Sequence, residues 1–183
     1  IAEACAEAGA KVFLVSGPVN IQTQANGVEL ERVTSASEMF DACEKHLDSI
    51  DIAVFNAAVA DFTPVEKSDS KVKRGTDSWT IELKPTRDIA GEMGSRKKKE
   101  QVFVGFALET DNELANASAK MKKKNLDLMV LNSLREEGAG FGTDTNKVTM
   151  IDRKGGMEEY ELKPKAGVAA DLVNRLAKFL EDA

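Results

Sequence analysis

Residues 51–60, DIAVFNAAVA, form a nearly continuous apolar run between two polar segments. A strand that is apolar at almost every position offers no face to water, so it needs cover on both sides. The flanking sequence supplies helices for that purpose. SASEMFDACEKHLDSI (35–50) reads as an amphipathic helix, and Ser35 with Glu38 fits a capping box. QVFVGFALE (101–109) and LDLMVLN (126–132) repeat the buried-strand pattern, with a helical NELANASAKMKKKN (112–125) between them. KVFLVSG (11–17) is a short strand ended by Gly17-Pro18, and GVELERV (27–33) is a weaker, alternating one. IAEACAEA opens the chain as a helix that Gly9 can stop. WTIELK (79–84) reads as a strand and TRDIAGEMGSRKK (86–98) as a helix. KVTMIDRKGGMEEYEL reads as a hairpin turning at Gly155-Gly156, and KAGVAADLVNRLAKFLED as a closing helix.

Strands alternating with helices define an α/β fold. The expectation is a Rossmann-like, doubly wound, mostly parallel sheet with helices on both faces, plus a C-terminal β-hairpin. In such sheets ligands sit beyond the carboxyl ends of the strands. Asn56 to Asp61, Phe106 to Thr110 and Asn132 all follow strand ends. The chain has 183 residues, with no internal repeat and no Pro-, Gly- or Ser-rich linker, so residues 1–183 are expected to form a single domain. The first helix has no strand ahead of it, which leads to the expectation that an N-terminal strand and its loop are missing.

Composition narrows the function. The net charge is −6, which argues against general nucleic-acid binding but leaves room for a local basic pocket. No apolar run reaches the roughly 18–20 residues that cross a bilayer, so no membrane role is expected. Cys5 and Cys43 lack metal spacing and read as buried thiols of a reducing cytoplasm. His46 is the single histidine, which makes histidine-based catalysis or a multi-histidine metal site improbable; a solvated helix position is its default.

Four features remain as site candidates, each with a plain alternative. Ala57-Ala58-Val59-Ala60-Asp61 lets a ligand approach the backbone and offers a carboxylate; a tight turn is the alternative. Lys71, Lys73 and Arg74 lie on a polar segment, 62–78, that could close over phosphates; a charged surface loop is the commoner case. Lys120 and Lys124 share one helix face, where like charges cost about 0.2–0.5 kcal/mol and an anion would reverse that cost. Gly138 to Gly142 has a G-x-G-x-G look, but it neither follows a strand nor opens a helix, so the dinucleotide fingerprint is not met.

Two family comparisons follow from the 51–60 strand. Short-chain dehydrogenases need Tyr-x-x-x-Lys, but four residues after the only tyrosine, Tyr160, stands Pro164, and Lys163 is one position short. An NAD(P) enzyme of that kind fails on chemistry. The second comparison runs along almost the whole chain. In order, AGAKVFLVSGPV (8–19), NAAVADF (56–62), SKVKR (70–74), PTRDI (85–89), GFALET (105–110), KKKNLDLMVLN (122–132) and GFGTDTNKV (140–148) resemble bacterial phosphopantothenoylcysteine synthetase.

That resemblance implies a cytoplasmic ligase that joins 4′-phosphopantothenate to L-cysteine with CTP and Mg²⁺, through an acyl-cytidylate. It implies that Lys71 is catalytic in forming the acyl-cytidylate. Phe55, Asn56, Ala57, Asp61, Lys71, Thr86, Arg87, Asp88, Ile89, Phe106, Lys120 and Lys124 match nucleotide-binding positions, and Ala58 lies where the substrate carboxylate would approach. Metal ligands beyond a role for Asp61 are not assigned. Arg87 replaces a proline common in relatives. The resemblance also implies a homodimer, with the hairpin at 146–162 as its candidate element, and fusion to or association with a flavin-dependent decarboxylase domain. A non-catalytic nucleotide-binding domain is the alternative from another class.

Overall fold

The computed structural model describes residues 1–66, 68, 70–74, 78–109, 113–133 and 142–181. In chain order the elements are α1 (Ala2–Glu7), β1 (Val12–Ser16), β2 (Val28–Arg32), α2 (Ala36–His46), β3 (Ile52–Phe55), β4 (Phe62–Pro64), β5 (Leu83–Pro85), α3 (Ile89–Ser95), β6 (Val102–Glu109), α4 (Glu113–Lys123), β7 (Leu128–Ser133), β8 (Thr145–Asn146), β9 (Val148–Asp152), β10 (Met157–Glu159), β11 (Lys163–Pro164) and α5 (Lys165–Glu181). A single 3₁₀ turn, Leu47–Ser49, follows α2. The central sheet has the order β10-β9-β7-β6-β3. Its first three strands in sequence, β3, β6 and β7, are parallel, with Phe55 opposite Gly105 and Val104 opposite Leu128. The C-terminal hairpin is the antiparallel edge of this same sheet, since β9 pairs with β7 and β10 with β9.

The two-residue side-chain period of the strands divides the core into two layers. Phe103, Ala107, Met129 and Leu131 face Phe40 of α2, Met93 of α3 and Met121 of α4. Val102, Val104, Leu128 and Val130 face the other way, onto Val168, Leu172 and Leu176 of α5. Helices on both faces of a mostly parallel sheet are the architecture read from the sequence.

Two details differ from that reading. The 51–60 run is not buried throughout: β3 stops at Phe55 and is half-buried, because it lies at the edge of the central sheet. Residues 56–58 leave it exposed. β1 and β2 pair in parallel with each other as a separate two-stranded group. Helix α2 spans both groups. His46 stacks on Phe13 of β1 with ring centroids 4.1 Å apart, while Met39 and Cys43 pack into the cluster that holds Ala53 and Phe55. His46 is therefore a packed side chain, not a solvated one.

Local signals explain the boundaries. Ser35 accepts from the Glu38 amide, and the Glu38 carboxylate accepts from the Ser35 amide at 3.2 Å, completing the capping box. Gly9 and Gly155 both hold positive φ where the chain turns. The helix read over 86–98 is shorter, because Asp88 caps it and Ser95 ends it. Cys5 and Cys43 are free, half-buried thiols whose pKa values burial pushes up.

Near the amino ends of β6 and β7 a buried carboxylate joins three segments. Asp127 accepts from the Phe103 amide at 2.7 Å, lies 2.6 Å from Lys97 Nζ and pairs with Arg153 at 3.0 Å. Removing one member of such a cluster would strand a buried charge, which costs more than the pair is worth intact.

Candidate functional site at the carboxyl ends of the strands

The site residues gather where β3 ends. Asn56 departs beside β6, because Phe55 lies opposite Gly105 and Phe106 follows it. Asn56, Ala57, Ala58 and Asp61 are exposed, while Val59 turns inward against the core. A bond from the Val59 amide to the Ala57 carbonyl, 3.1 Å, makes the small-residue segment a tight turn. The Thr86 amide donates to the Asp61 carbonyl at 2.8 Å. Two stretches that are 25 positions apart by numbering, 61 and 86, are thus joined at one place. The Thr86 hydroxyl is buried there with no hydrogen-bond partner among the described residues.

The next three residues are committed by their neighbours. Arg87 lays its guanidinium over the Phe40 ring, 3.2 Å from the centroid, and its Nε donates to Glu92 at 3.1 Å. Glu92 raises the Arg87 pKa and keeps the guanidinium charged. Arg87 therefore acts as a clamp that fastens the segment to α2 and α3. Asp88 caps α3 by accepting from the Gly91 amide at 3.1 Å, and it also accepts from Lys124 Nζ at 2.8 Å. Partial burial pushes the Asp88 carboxyl up, but the hydrogen bonds from Lys124 and Gly91 outweigh it and leave the group below its ordinary range. Ile89 is buried in the core, so only its main chain is open to a ligand role.

The aromatic residues divide between the two faces. Phe55 packs edge-on against Phe103, with centroids 5.5 Å apart, in the α2 layer. Phe106 is half-buried against the α5 layer. Both are core-packed at their bases, and Phe106 retains open surface beside Asn56.

Lys124 reaches Asp88 because helices α3 and α4 touch at their ends. A Cβ on Gly94 would lie 1.9 Å from the Lys124 carbonyl oxygen, so only glycine permits this approach. Asn125, at φ 51°, turns the chain after α4 and donates to the Gly94 carbonyl at 2.9 Å. Lys120 lies exposed one turn before Lys124. Lys71, Lys73 and Arg74 lie exposed on the segment between β4 and β5. Thr110 and residues 138–141 of the glycine-rich stretch lie outside the described residues.

Sequence reasoning found the end of β3, but β6 runs on to Glu109 and β7 to Ser133, so Phe106 and Asn132 lie within their strands and not after them; it also missed what holds the site residues. Glu92 and Phe40 fix Arg87, and Gly94 sets the Lys124 position; no local motif marks any of the three. Asn146 was also missed: it is buried and donates to Asn132 at 2.9 Å, near the carboxyl end of β7. A concavity of about 350 Å³ lies elsewhere, between β2 and α2. Glu31, Glu38 and Asp41 line it beside Arg32 and Lys45, a lining that does not suit phosphate. Among the described residues no group of three or more His, Cys, Asp or Glu side chains could hold a metal ion, and no helix is long and apolar enough to cross a membrane.

A mostly parallel sheet with helices on both faces defines the chain as a doubly wound α/β domain, the architecture in which ligands sit beyond the strand ends. Comparison with known proteins gives its family. The profile of the DNA/pantothenate metabolism flavoprotein C-terminal domain matches residues 1–180, and the chain belongs to that family. A bifunctional coenzyme A biosynthesis protein CoaBC from Bacillus subtilis (strain 168) is 42% identical over 177 residues, covering 97% of this chain and 43% of that protein. A cysteine/cysteine sulfinic acid decarboxylase from an unknown prokaryotic organism is 50% identical over 176 residues, 96% of this chain and 49% of that protein. The chain thus spans less than half the length of these two relatives. The crystal structure of the C-terminal domain of a coenzyme A biosynthesis bifunctional protein CoaBC superposes with a TM-score of 0.83 at 33% identity, over 100% of this chain and 81% of that one.

Proposed function

We propose that this chain is the ligase unit that joins 4′-phosphopantothenate to L-cysteine in coenzyme A biosynthesis, using CTP. The observation that carries the reading is the joint at Thr86. Its amide is bonded to Asp61, and its hydroxyl is buried without a partner among the described residues. An unpaired buried hydroxyl costs about 1–3 kcal/mol. A nucleotide edge entering between the two stretches would satisfy it. The relatives named for coenzyme A biosynthesis support the same reading.

In the proposed reaction the phosphopantothenate carboxylate attacks the α-phosphorus of CTP. The bond to the β-phosphate oxygen breaks, pyrophosphate leaves and an acyl-cytidylate forms. The amine of cysteine then attacks the acyl carbon. The acyl–oxygen bond breaks, CMP leaves, and the nitrogen loses a proton to give the amide. Charge builds on the phosphates in the first step, so fixed cations lower its barrier. Lys71 supplies that charge from the β4–β5 segment, and Lys120 and Lys124 supply it from α4. The exposed turn at Ala57 and Ala58 leaves the backbone open to the substrate carboxylate.

Mg²⁺ fits the donor set. It keeps several waters and takes one or two carboxylates together with substrate phosphates. Asp61 is the exposed carboxylate at the site, whereas Asp88 is occupied by Lys124. When bound, the ion would neutralise triphosphate charge; Asp61 would hold it.

Pyrophosphate release tests the proposal. Release that requires CTP, phosphopantothenate and cysteine together supports it. CTP binding without turnover would instead make the chain a nucleotide-binding module, and faster turnover with ATP would overturn the choice of nucleotide. Carbon dioxide release from cysteine would assign this chain the activity named for its 50%-identical relative.

A further inference from the structure

Helix α2 and the segment 87–98 face each other along a row of three contacts. The Arg87 guanidinium lies on the Phe40 ring, Arg96 pairs with Glu44, and Lys98 pairs with Asp48 at 2.8 Å. Positions 40, 44 and 48 are four apart, so they follow one face of α2 and the turn after it. The row runs from one end of the sheet to the other. Leu47, beside Asp48, accepts at its carbonyl from Gln101 at 2.6 Å, just ahead of the amino end of β6. Arg87 instead follows Thr86, whose amide is bonded to Asp61 beyond the end of β3. Arg87 is therefore the contact at the candidate site, and the other two lie toward the far end.

The groups around Arg87 use its planar geometry. Nε donates to one oxygen of Glu92 at 3.1 Å and Nη2 donates to the other, while one face of the guanidinium covers Phe40. A fork of this kind needs arginine; a lysine ammonium carries the charge without the plane. The hydrogen bond to Glu92 raises the Arg87 pKa, and the nearby Glu44 and Asp41 of α2 add to that effect. The charge is thus met by carboxylates of the protein itself. The pair is a surface one, with the Arg87 side chain 51% exposed and Glu92 41%. Exposed pairs add little to global stability. Buried Ile89 and Met93, with the other two contacts of the row, hold α3 independently of it. Opening this clamp would leave the fold standing and loosen the segment at the site.

We infer that Arg87 and Glu92 are positioning residues that set CTP affinity without touching CTP, by holding residues 86–88 against α2 and α3 before the nucleotide arrives. The inference rests on the reading of this site as a CTP site. A segment ordered in advance loses less freedom when its ligand binds. The residues on either side of Arg87 are the ones that would gain. Thr86 brings the buried hydroxyl, and Asp88 holds Lys124 at 2.8 Å. Glu92 lies in the first turn of α3 and belongs to the site only through Arg87.

Calorimetric titration with CTP and with CMP tests this on Arg87→Ala, Arg87→Lys, Glu92→Gln and the double variant Arg87→Ala/Glu92→Gln. Each should raise Kd by about tenfold, and by the same factor for both nucleotides, because the fault lies in the segment and not in a phosphate contact. The double variant should bind no more weakly than Arg87→Ala, since both changes open one clamp. Tm should stay within about 3 °C of wild type. In CTP–pyrophosphate exchange, KM for CTP should rise while kcat stays within about threefold, the pattern of lost uniform binding. A direct contact from Arg87 to phosphate predicts the opposite sign at Glu92, where freeing the guanidinium would tighten CTP. Unchanged or tighter binding in Glu92→Gln, a larger loss for CTP than for CMP, additive losses in the double variant, or full rescue by Arg87→Lys would overturn the inference. A wild-type chain that binds both nucleotides, with variants that match it, would overturn this inference alone. A wild-type chain that binds neither would overturn the reading of the site and this inference with it.

Discussion

Lys124 Nζ donates to Asp88 Oδ1 at 2.8 Å, a bond that ties the end of α4 to the cap of α3 across 36 positions of sequence. The lysine assigned to the nucleotide is therefore already held in place by a carboxylate of the same site. Pre-positioning of this kind reduces the side-chain entropy lost when phosphate arrives. In the proposed site Lys124 would work from a fixed anchor, while Lys120 lies on the exposed helix face.

Lys120→Ala and Lys124→Ala should each weaken CTP binding by about 1–3 kcal/mol, the scale of one charge-assisted hydrogen bond. Calorimetric titration reads this directly. Affinity equal to wild type in either variant would return that lysine to an ordinary surface role.

The Asp88 carboxyl is held below its ordinary range by Lys124 and Gly91, against the opposing effect of burial. A carboxylate with a depressed folded-state pKa contributes stability above its unfolded value, about 3.9. That contribution is lost as pH falls through the folded value. Asp88→Asn keeps an acceptor for the Gly91 amide but loses the charge. Its stability deficit in urea unfolding should be constant from about pH 5 to 8 and should close below about pH 3.9. A deficit that grows on acidification would contradict this assignment.

Gly94→Ala should be among the more damaging single-methyl changes in the chain. The added Cβ would meet the Lys124 carbonyl oxygen at 1.9 Å, a backbone atom that cannot rotate away. Overpacking of this type costs about 1–3 kcal/mol. Thermal unfolding should show a lowered Tm, and CTP affinity should fall with it, because α4 and Lys124 must move off α3. A variant with wild-type Tm would show that the helices separate without cost.

The sequence carried the central strands because burial imposes a local pattern. β6 and β7 were visible as apolar runs, and the capping box at Ser35 and Glu38 marked the start of α2. The hairpin followed from Gly155 and Gly156. The β4–β5 ribbon was not visible as a unit. Residues 79–84 read as a strand, but the strand itself is only Leu83–Pro85, and the partner Phe62–Pro64 carries a proline and only three residues. Its pairing spans more than fifteen residues of polar sequence, which no short-range signal encodes. The strand-end residues of the site were legible for a similar reason to the strands: a buried run must end somewhere, and small residues marked the end. What Arg87 does was not legible. Its contacts with Phe40 and Glu92 depend on how α2 and α3 pack, and in sequence it stands only as a charged residue after Thr86.

Lys71 is the residue on which the proposed chemistry turns. It lies exposed on the β4–β5 segment, between two stretches joined by the bond from Thr86 to Asp61. The other cations of the site are anchored to the body of the domain through α4. In the proposed reaction Lys71, exposed on that segment, would meet the charge that develops as pyrophosphate leaves. A group that acts in this way contributes more to the transition state than to ground-state binding. Lys71→Gln retains the length and polarity of the side chain and removes its charge. It should leave CTP affinity within about threefold of wild type while lowering the CTP–pyrophosphate exchange rate by about 10²–10³, the effect of losing one transition-state donor. The two measurements separate the roles. A parallel loss of affinity and exchange would make Lys71 a binding residue, and exchange at the wild-type rate would remove it from the first step altogether.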